Sequence, residues 1–538
     1  MIRLVKLIAL FMSLGFAASG QTASPFFDPC KLPPKTAVEM KPLPERWNGI
    51  TYYSRAHHFY DMINDWWTVD KATGRYVYEL ADEDLKMLSE QGVNFIHHYI
   101  WDNVWFTENG WHGVGFDPVG KNPCASDNRQ WAALDDFLSR AEKYGLFVGI
   151  HFAAKPPIDA LQTGKVTPVQ AKDIADEYVE WVGTFIRRLS PRHNNIAMWG
   201  FIFAVGPAPG VGDEKNGWNA FIKHGFGPLQ KMAREFAPKE GLGLMAINFP
   251  FLSGTEDGFR YRWDTKYVQR ALRVMNNMDL DPDIYMLQCY NADTNGLAKA
   301  IAEVTGPPLT DDADSLDPNK VLVVEVGSST SVAPPPYGVG VAGKGDADSP
   351  SHTLEGQAQW LTNTLCALKS GGIKKIAFWT LYDAHDFWEK EPFNSNLLEN
   401  PWGGFWGLVA YDPKDLKPRN KPALRTLSDF YLLNRLACSS PPRPVLSLTA
   451  DKYSGFSGSR LKITWTAADV AGLEIDNGVG PVKGTLGSVT LQFPRKVGWY
   501  TYTLTGKNSS EKGEAIEKAS IKIRTVPLPH RSRKPDNR

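Results

Sequence analysis

The chain has 538 residues, with 59 Lys and Arg against 59 Asp and Glu, 43% hydrophobic and 22% charged residues. This is the composition of a globular protein, and the zero net charge excludes a nucleic acid or an anionic membrane as an electrostatically attracted partner. Aromatic residues are numerous, with 18 Trp, 19 Tyr and 27 Phe. So many Trp side chains suit either a large core or a cleft in which sugar rings stack.

Residues 1–20 have the pattern of a secretory signal peptide. Arg3 and Lys6 precede an apolar run over residues 7–16, and small residues follow at 18–20. The run is too short to cross a bilayer, and no other stretch of about 18 apolar residues follows it. We therefore predict a secreted or periplasmic protein without a membrane span, which begins with a Pro-rich lead-in over residues 21–45.

Short apolar segments alternate with amphipathic ones between residues 46 and 435. The predicted strands are residues 48–53, 93–100, 146–152, 196–204, 242–248, 283–290, 321–326 and 373–380. Helical patterns between them indicate parallel βαβ units, and eight strands is the number that closes a (β/α)8 TIM barrel. A doubly wound open sheet uses the same alternation, but no Gly-rich phosphate turn follows the first strand.

The composition changes after residue 435. Residues 436–445 are rich in Ser and Pro and predict a linker, and residues 446–526 alternate as short strands with Gly and Asn turns between them. This pattern indicates a small C-terminal all-β, Ig-like sandwich. Residues 527–538 are predicted to be a disordered basic tail. Nothing in the sequence predicts an oligomeric state.

Five cysteines are widely spaced, without the CxxC pairs of a zinc site. Cys289 and Cys366 lie in apolar segments and are predicted to be buried free thiols. Cys30 and Cys124 are then the pair expected to form a surface disulfide.

Three predicted strands end in residues that suit a sugar-binding site. The active site of a TIM barrel lies at the C-terminal ends of its strands, where Tyr290, Glu325 and Trp379 end strands 6, 7 and 8. A Tyr hydroxyl can orient a carboxylate, and an indole can form the floor of a sugar subsite. The structural alternatives are a Glu325 paired with an Arg and two aromatic side chains in the core.

These segments resemble the clan A glycoside hydrolases, the superfamily of cellulases, mannanases and β-glycosidases. The resemblance spans residues 46–432 and depends on VVEVG in strand 7, AFWTLYD in strand 8 and the closing segment FWGLVAYDPKDLKPRNKPAL. His151 and Tyr290 fall where relatives place substrate-contacting groups. The resemblance implies retaining hydrolysis, with Glu325 as the nucleophile and a carboxylic acid at the end of strand 4 about 5–5.5 Å away.

The sequence departs from the family at that second carboxyl group. Relatives have an Asn-Glu pair a few residues after a Trp, but here Phe203 and Ala204 follow Trp199 at those positions. One explanation is an insertion in strand 4, which would shift the alignment. A second is that the barrel binds glycan without cleaving it. Otherwise a loop supplies the acid, and the candidates are Asp102, Glu108, Asp213, Glu214, Asp383 and Asp386.

Further polar and aromatic residues follow the strands. The predicted substrate-binding residues are Arg55, His57, Trp101, His151, Tyr290, Trp379, Asp383 and His385. A Trp cluster after strands 1 and 2 is interpreted as a sugar platform and comprises Trp66, Trp67, Trp101, Trp105 and Trp111. Of His97 and His98 in strand 2, one is expected to point into the barrel and one toward the helices. His57 and His58 are adjacent residues of a type that binds metal ions, but no second cluster of His or Asp residues has the spacing of metal ligands. We therefore predict no metal and no cofactor.

Three functional hypotheses follow from the sequence. The first is a secreted glycoside hydrolase that acts on a β-linked oligo- or polysaccharide, with Glu325 as nucleophile. The second is a non-catalytic glycan-binding barrel that has lost its general acid/base. The third is a surface or scaffold protein whose C-terminal sandwich binds a partner.

Overall fold

A computed structural model describes most of the barrel strands, their helices and the C-terminal sheets. The described residues are 40–54, 62–63, 65–70, 73–101, 129–153, 161, 166–201, 217–249, 252–254, 261–290, 297–308, 314–327, 354–382, 407–411, 418–436, 438, 443–484, 486–510 and 513–527. The predicted signal peptide, the predicted Cys30–Cys124 pair and most of the tail lie outside these ranges. Among the described residues, no helix is long and apolar enough to cross a membrane.

Eight parallel strands close into a barrel in chain order, as the alternating pattern predicts. They are β1 (Trp47–Thr51), β2 (Phe95–Trp101), β3 (Phe147–Ala153), β4 (Ile196–Gly200), β5 (Leu244–Phe249), β6 (Ile284–Tyr290), β7 (Val321–Gly327) and β8 (Lys375–Trp379). The seam pairs β1 with β8 over five residues, from Trp47 opposite Lys375 to Thr51 opposite Trp379. The (β/α)8 prediction is confirmed.

Eight helices of nine residues or more cover the barrel in the described part of the chain before residue 436. They are α1 (Val77–Glu90), α2 (Arg129–Lys143), α3 (Pro168–Leu189), α4 (Gly217–Phe236), α5 (Thr265–Asn277), α6 (Leu297–Thr305), α7 (Leu354–Ser370) and α8 (Pro422–Leu433). The sequence fixes where α3 begins, because Thr167 and Gln170 form a capping box and Pro168 occupies the first helical position. Short antiparallel hairpins join Leu252–Gly254 to Tyr261–Trp263 and Val409–Tyr411 to Pro418–Asn420.

The barrel strands alternate between an interior cluster and the layer under the helices. All eight contribute to the interior, through Trp47, Phe95, Phe147, Ala197, Met198, Ala246, Ile284, Met286, Leu322, Val324 and Ala377. These residues fill the half of the barrel near the N-terminal ends of the strands, where Trp47 stacks on Phe95 with ring centroids 4.6 Å apart. The polar side chains in the other half are therefore the ones that face the C-terminal end.

Two C-terminal sheets share a core of their own, as the prediction of a small β-sandwich requires. One contains β9 (Val445–Ala450), β11 (Arg460–Ala468) and β14 (Leu486–Gln492). The other contains β10 (Ser454–Phe456), β16 (Gly513–Val526), β15 (Gly498–Ser510), β12 (Gly472–Ile475) and β13 (Gly480–Val482), in that order. Ile463 and Trp465 of the first sheet pack with Leu504 and Ile523 of the second.

The prediction that Cys366 is a free thiol is wrong. Cys366 of α7 forms a disulfide with Cys438, whereas Cys289 is buried and free as predicted. Beside the disulfide, Asn363 Nδ2 donates to Asp469 Oδ2 at 2.7 Å and to the Arg443 carbonyl at 2.8 Å. Helix α7 thus holds both the end of the barrel and the first strands of the sandwich.

Candidate active site

A bulge in β7 sets the direction of Glu325. Between Val324 and Gly327, β7 has one more residue than β6 has between the paired residues Gln288 and Tyr290. Between Val323 and Val326, it likewise has one more residue than β8 has between Ile376 and Phe378. Val324 belongs to the interior cluster and Val326 packs under the helices, so regular alternation is broken at the residue between them. Glu325 takes a φ of 54°, which is rare for a residue with a side chain. The extra residue turns its carboxylate into the barrel.

Both carboxylate oxygens of Glu325 accept hydrogen bonds from neighbouring strands. Tyr99 of β2 donates its hydroxyl to Oε1 at 2.7 Å, and Gln288 of β6 donates Nε2 to Oε2 at 2.8 Å. The Glu325 side chain is almost completely buried, at 5% exposed. Burial raises the pKa of Glu325 to about 7, and the two hydrogen bonds oppose that shift. The carboxyl group therefore changes charge near neutral pH.

A chain of hydrogen bonds links the neighbouring strands β1, β2 and β3 beside this carboxyl group. Thr51 Oγ1 lies 3.1 Å from His97 Nδ1, and His97 Nε2 lies 3.3 Å from His151 Nδ1. Burial, followed by the neighbouring His151 and His98, holds the pKa of His97 well below its usual value. The imidazole of His97 is consequently neutral at physiological pH and acts as a hydrogen-bonding group.

Close packing positions the second histidine of this chain. A Cβ atom at Gly200 of β4 would lie 2.5 Å from His151 Cδ2, so the His151 ring can occupy its place only against a glycine. The ring of Tyr99 lies 4.8 Å from that of His151. His98 instead points outward to Phe137 of α2, which confirms the expectation of one inward and one outward histidine.

Aromatic rings form one wall of the site. Trp379 at the end of β8 lies 6.2 Å from Tyr99 and 6.0 Å from Tyr53, edge to face in both pairs. Trp379 is half-buried, which leaves part of its indole available to a ligand. Tyr99 contacts both Trp379 and Glu325, so the indole lies near the carboxyl group.

Asn248 on β5 is a polar group that sequence reasoning missed. Its side chain is fully buried, and neither Oδ1 nor Nδ2 has a hydrogen-bond partner among the described residues. Its place in the alternation is that of an interior position, two residues after Ala246 of the interior cluster. Buried amides are nearly always hydrogen-bonded, so Asn248 needs a partner.

The structure brings together only some of the predicted site residues. Glu325, His151 and Trp379 converge at one end of the barrel. Trp101 and Tyr290 end β2 and β6, but their side chains lie outside what the structure describes. The same holds for Arg55, His57, Asp383, His385, the strand-4 positions Phe203 and Ala204, and every loop carboxylate considered as the acid.

One part of the predicted Trp platform is wrong. Trp66 is fully buried, contacts Phe137 edge to face and donates its indole N–H to Asp136 of α2 at 2.8 Å. It therefore belongs to the core. Trp67 is half-buried against Tyr78, and Trp105 and Trp111 lie outside the described residues.

Within the eight strands as the structure bounds them, Glu325 is the only acidic residue. In the described part of the chain, no three His, Cys, Asp or Glu side chains converge as they would around a metal ion. The described site thus combines one titrating carboxyl group with neutral donors, acceptors and an indole, an arrangement that suits a polar, uncharged ligand rich in hydroxyl groups.

No protein-family model and no curated protein sequence matches the chain. Its structure is similar to those of several β-glycosidases. β-Glucuronidase 2 from Bacteroides uniformis, covalently bound to cyclophellitol-6-carboxylate aziridine, is 14% identical with a TM-score of 0.38. That match covers 90% of this chain but 46% of the other, so this chain spans about half the length of that protein.

Two shorter proteins give similar matches. GH5_18 from Bifidobacterium longum subsp. longum, as a variant in complex with Manb1-4GlcNAc, is 14% identical with a TM-score of 0.42, over 72% of this chain and 78% of its own. The hyperthermophilic β-glucosidase from Pyrococcus furiosus is 11% identical with a TM-score of 0.42, over 73% and 96%. The closed barrel of eight parallel strands that the resemblance to clan A glycoside hydrolases implies is present in this structure.

Proposed function

We propose that this protein is an exported glycoside hydrolase that cleaves a β-linked glycan by a retaining mechanism, with Glu325 as the nucleophile. The observation that carries the proposal is the bulge of β7, which turns the single carboxylate of the barrel strands inward between two hydrogen-bond donors. Backbone strain at one residue costs on the order of 1–3 kcal/mol and persists where function requires it. A bulge that served only packing would not need to bury a carboxyl group.

In this mechanism Tyr99 and Gln288 hold the two oxygens of Glu325 while the sugar binds above them. Glu325 attacks the anomeric carbon, the C–O bond to the leaving group breaks, and a covalent glycosyl ester forms. Trp379 supplies an apolar face for the sugar ring, and Asn248 supplies hydrogen bonds for its hydroxyl groups. Water then hydrolyses the ester and restores the carboxylate.

The proton for the leaving group has to come from outside the barrel strands, because Glu325 is their only acidic residue. The loop carboxylates at Asp102, Glu108, Asp213, Glu214, Asp383 and Asp386 are the candidates. Replacing the correct one slows the cleavage of natural glycans by about 10²–10⁴-fold. Nitrophenyl glycosides, whose leaving groups need little protonation, retain most of their rate.

Export is part of the proposal. The signal-like segment at residues 1–20 and the Cys366–Cys438 disulfide both support it, since structural disulfides persist in oxidising compartments.

A covalent trap tests the nucleophile. A panel of 2-deoxy-2-fluoroglycosides with dinitrophenyl leaving groups should label the wild-type protein once, on the peptide that contains Glu325. Glu325→Gln should remove the label and the turnover, while Glu303→Gln, a carboxyl substitution on α6, should leave both unchanged. Labelling of another residue, or turnover that survives Glu325→Gln, would refute the assignment.

The second candidate is a glycan-binding barrel without hydrolysis, and the single strand-borne carboxyl group favours it. Such a protein would cleave neither natural glycans nor nitrophenyl glycosides. Its affinity for glycan would survive Glu325→Gln and fall on Trp379→Ala. Screening the purified protein against polysaccharides and aryl glycosides separates the two candidates.

A further inference from the structure

The outer face of the five-stranded sheet carries an exposed aromatic group that its fold does not need. Trp499 of β15 is 66% exposed, whereas Trp465 on the opposite sheet is 6% exposed and packs in the core. Tyr453 and Phe456, at the edge strand β10 of the same sheet, are 53% and 46% exposed. Ser454 and Trp499 both pair with Arg524, so strand alternation puts Phe456 on the same outer face as the indole, and two aromatic side chains lie at this end of the face.

Two positively charged side chains lie near Trp499 on the same face. Trp499 pairs across the sheet with Arg524 of β16, whose guanidinium carbon lies 5.9 Å from the indole centroid. The backbone N–H of Arg524 donates to the Tyr453 carbonyl at 2.8 Å, which joins the chain beside the edge strand β10 to β16 next to Trp499. Lys522 follows on the same face, opposite Thr501. The indole is therefore bordered by fixed positive charge.

The remainder of this face is flat and bears hydroxyl groups. Thr501 and Thr503 follow Trp499 on alternate positions of β15, and Ser520 Oγ donates to Thr503 Oγ1 at 3.0 Å. Their neighbours Tyr502 and Leu504 point into the sandwich core. On this face, β15 carries no bulky side chain beyond Trp499 as far as Thr503, a length of about 14 Å.

The charge of the sandwich differs from that of the whole chain. Residues 446–526 contain eleven Lys and Arg against seven Asp and Glu, although the complete chain is neutral. Asp476, the acidic residue beside Thr503, uses its carboxylate to accept the Thr503 N–H at 2.7 Å. At the outward positions of β15 and β16 nearest Trp499, two cations are present, Arg524 and Lys522, and no carboxylate.

We infer that this face binds an anionic polysaccharide built from uronic acid residues. The pyranose ring stacks on the Trp499 indole, and its carboxylates pair with Arg524 and Lys522. The hydroxyl groups of Thr501 and Thr503 hydrogen-bond to those of the sugar. A neutral glycan has no anionic group to pair with Arg524 and Lys522. A nucleic acid is not the expected ligand, because the whole chain has no net charge and begins with the pattern of an export signal. The site is separate from the barrel and does not depend on hydrolysis there.

Affinity electrophoresis of the full chain in native gels tests the inference. Polygalacturonate, an α-linked polymer that the proposed hydrolase of β-linked glycans does not degrade, should retard the protein, and dextran should not. Trp499→Ala should weaken the retardation at least tenfold, and Arg524→Met should weaken it severalfold and reduce its dependence on NaCl. Leu433→Ala, which removes a similarly exposed apolar side chain from α8, is the matched control and should bind as the parent does.

Three outcomes would overturn the inference. Retardation that is unchanged by Trp499→Ala would assign binding to the barrel or another surface. Equal retardation by dextran would remove the charge requirement. Stronger retardation by dextran sulfate or by single-stranded DNA than by polygalacturonate would replace the uronate by another anion. Thermal melting of each variant confirms that the fold is intact before its binding is measured.

Discussion

Replacing Glu325 by Gln should stabilise the fold at alkaline pH. The pKa of the buried Glu325 carboxyl lies at about 7, against an ordinary value of 4.5. Between these values the folded protein binds more protons than the unfolded chain, so the free energy of unfolding falls as the pH rises. A shift of about 2.5 units at about 1.4 kcal/mol each corresponds to about 3 kcal/mol at pH 8.

The introduced amide has the shape of the protonated carboxyl group and no charge. Its oxygen can accept from Gln288, and its NH₂ group can donate to the Tyr99 hydroxyl, which rotates to accept. The variant should therefore match the wild type at pH 4 and exceed its free energy of unfolding by about 3 kcal/mol at pH 8. Urea unfolding followed by Trp fluorescence at several pH values measures this difference.

Asp135 provides a control of opposite sign. Burial alone would raise its pKa, but hydrogen bonds from His193 and Arg192 outweigh burial and lower it to about 2. Asp135→Asn should therefore lose about 2 kcal/mol at pH 8, where Glu325→Gln gains stability. A Glu325→Gln protein that is no more stable than the wild type at pH 8, or a difference independent of pH, would refute the reasoning.

Three further predictions concern activity and domain structure. If Glu325 is the nucleophile, kcat/KM for an aryl glycoside should rise tenfold per pH unit below about 7 and level off above it; a falling limb at that pH would make the residue an acid. Tyr99→Phe removes a donor to the carboxylate and should move this limb to higher pH by about one to two units, whereas a purely structural role would leave its position unchanged. Removing residues 440–538 should leave a barrel that melts cooperatively, since each part has its own core; a non-cooperative melt in calorimetry would contradict this.

Much of the barrel could be predicted from local patterns. Each strand is a short apolar segment that helical periodicity flanks, and the eight predicted strands overlap the eight observed ones. The position of Glu325 and Trp379 at the C-terminal end of the barrel could also be predicted, because both residues lie where their strands end.

The partners of Glu325 could not be predicted in the same way. Strand 7 is apolar on both faces, so its sequence carries no alternation that would show a bulge. Gln288 and Tyr99 reach the carboxylate from strands separated from it by 37 and 226 residues. The sequence pointed to Tyr290 as the residue that orients the carboxylate because it ends strand 6, whereas Gln288 two residues earlier donates to Glu325.

The wrong predictions for Trp66 and Cys366 also concern contacts between segments that are far apart in the sequence. Trp66 lies next to Trp67 in a polar stretch, which favoured exposure, but Asp136 and Phe137 of α2 give it a buried hydrogen bond and an aromatic contact. Cys366 is on an apolar helix face, and its partner Cys438 lies 72 residues later in a linker without a pattern of its own.

The Cys366–Cys438 bond closes a covalent ring that contains one of the two strands of the barrel seam. The two cysteines are 72 positions apart, and the ring between them contains β8 and α8 but not β1, the strand on the other side of the seam. Closing a loop of that length removes about 4 kcal/mol of conformational entropy from the unfolded chain. A local opening of the seam can therefore release β1, whereas β8 and α8 remain attached to α7. The last βα unit, β8 and α8, is therefore held covalently at the end of the barrel that leads into the sandwich.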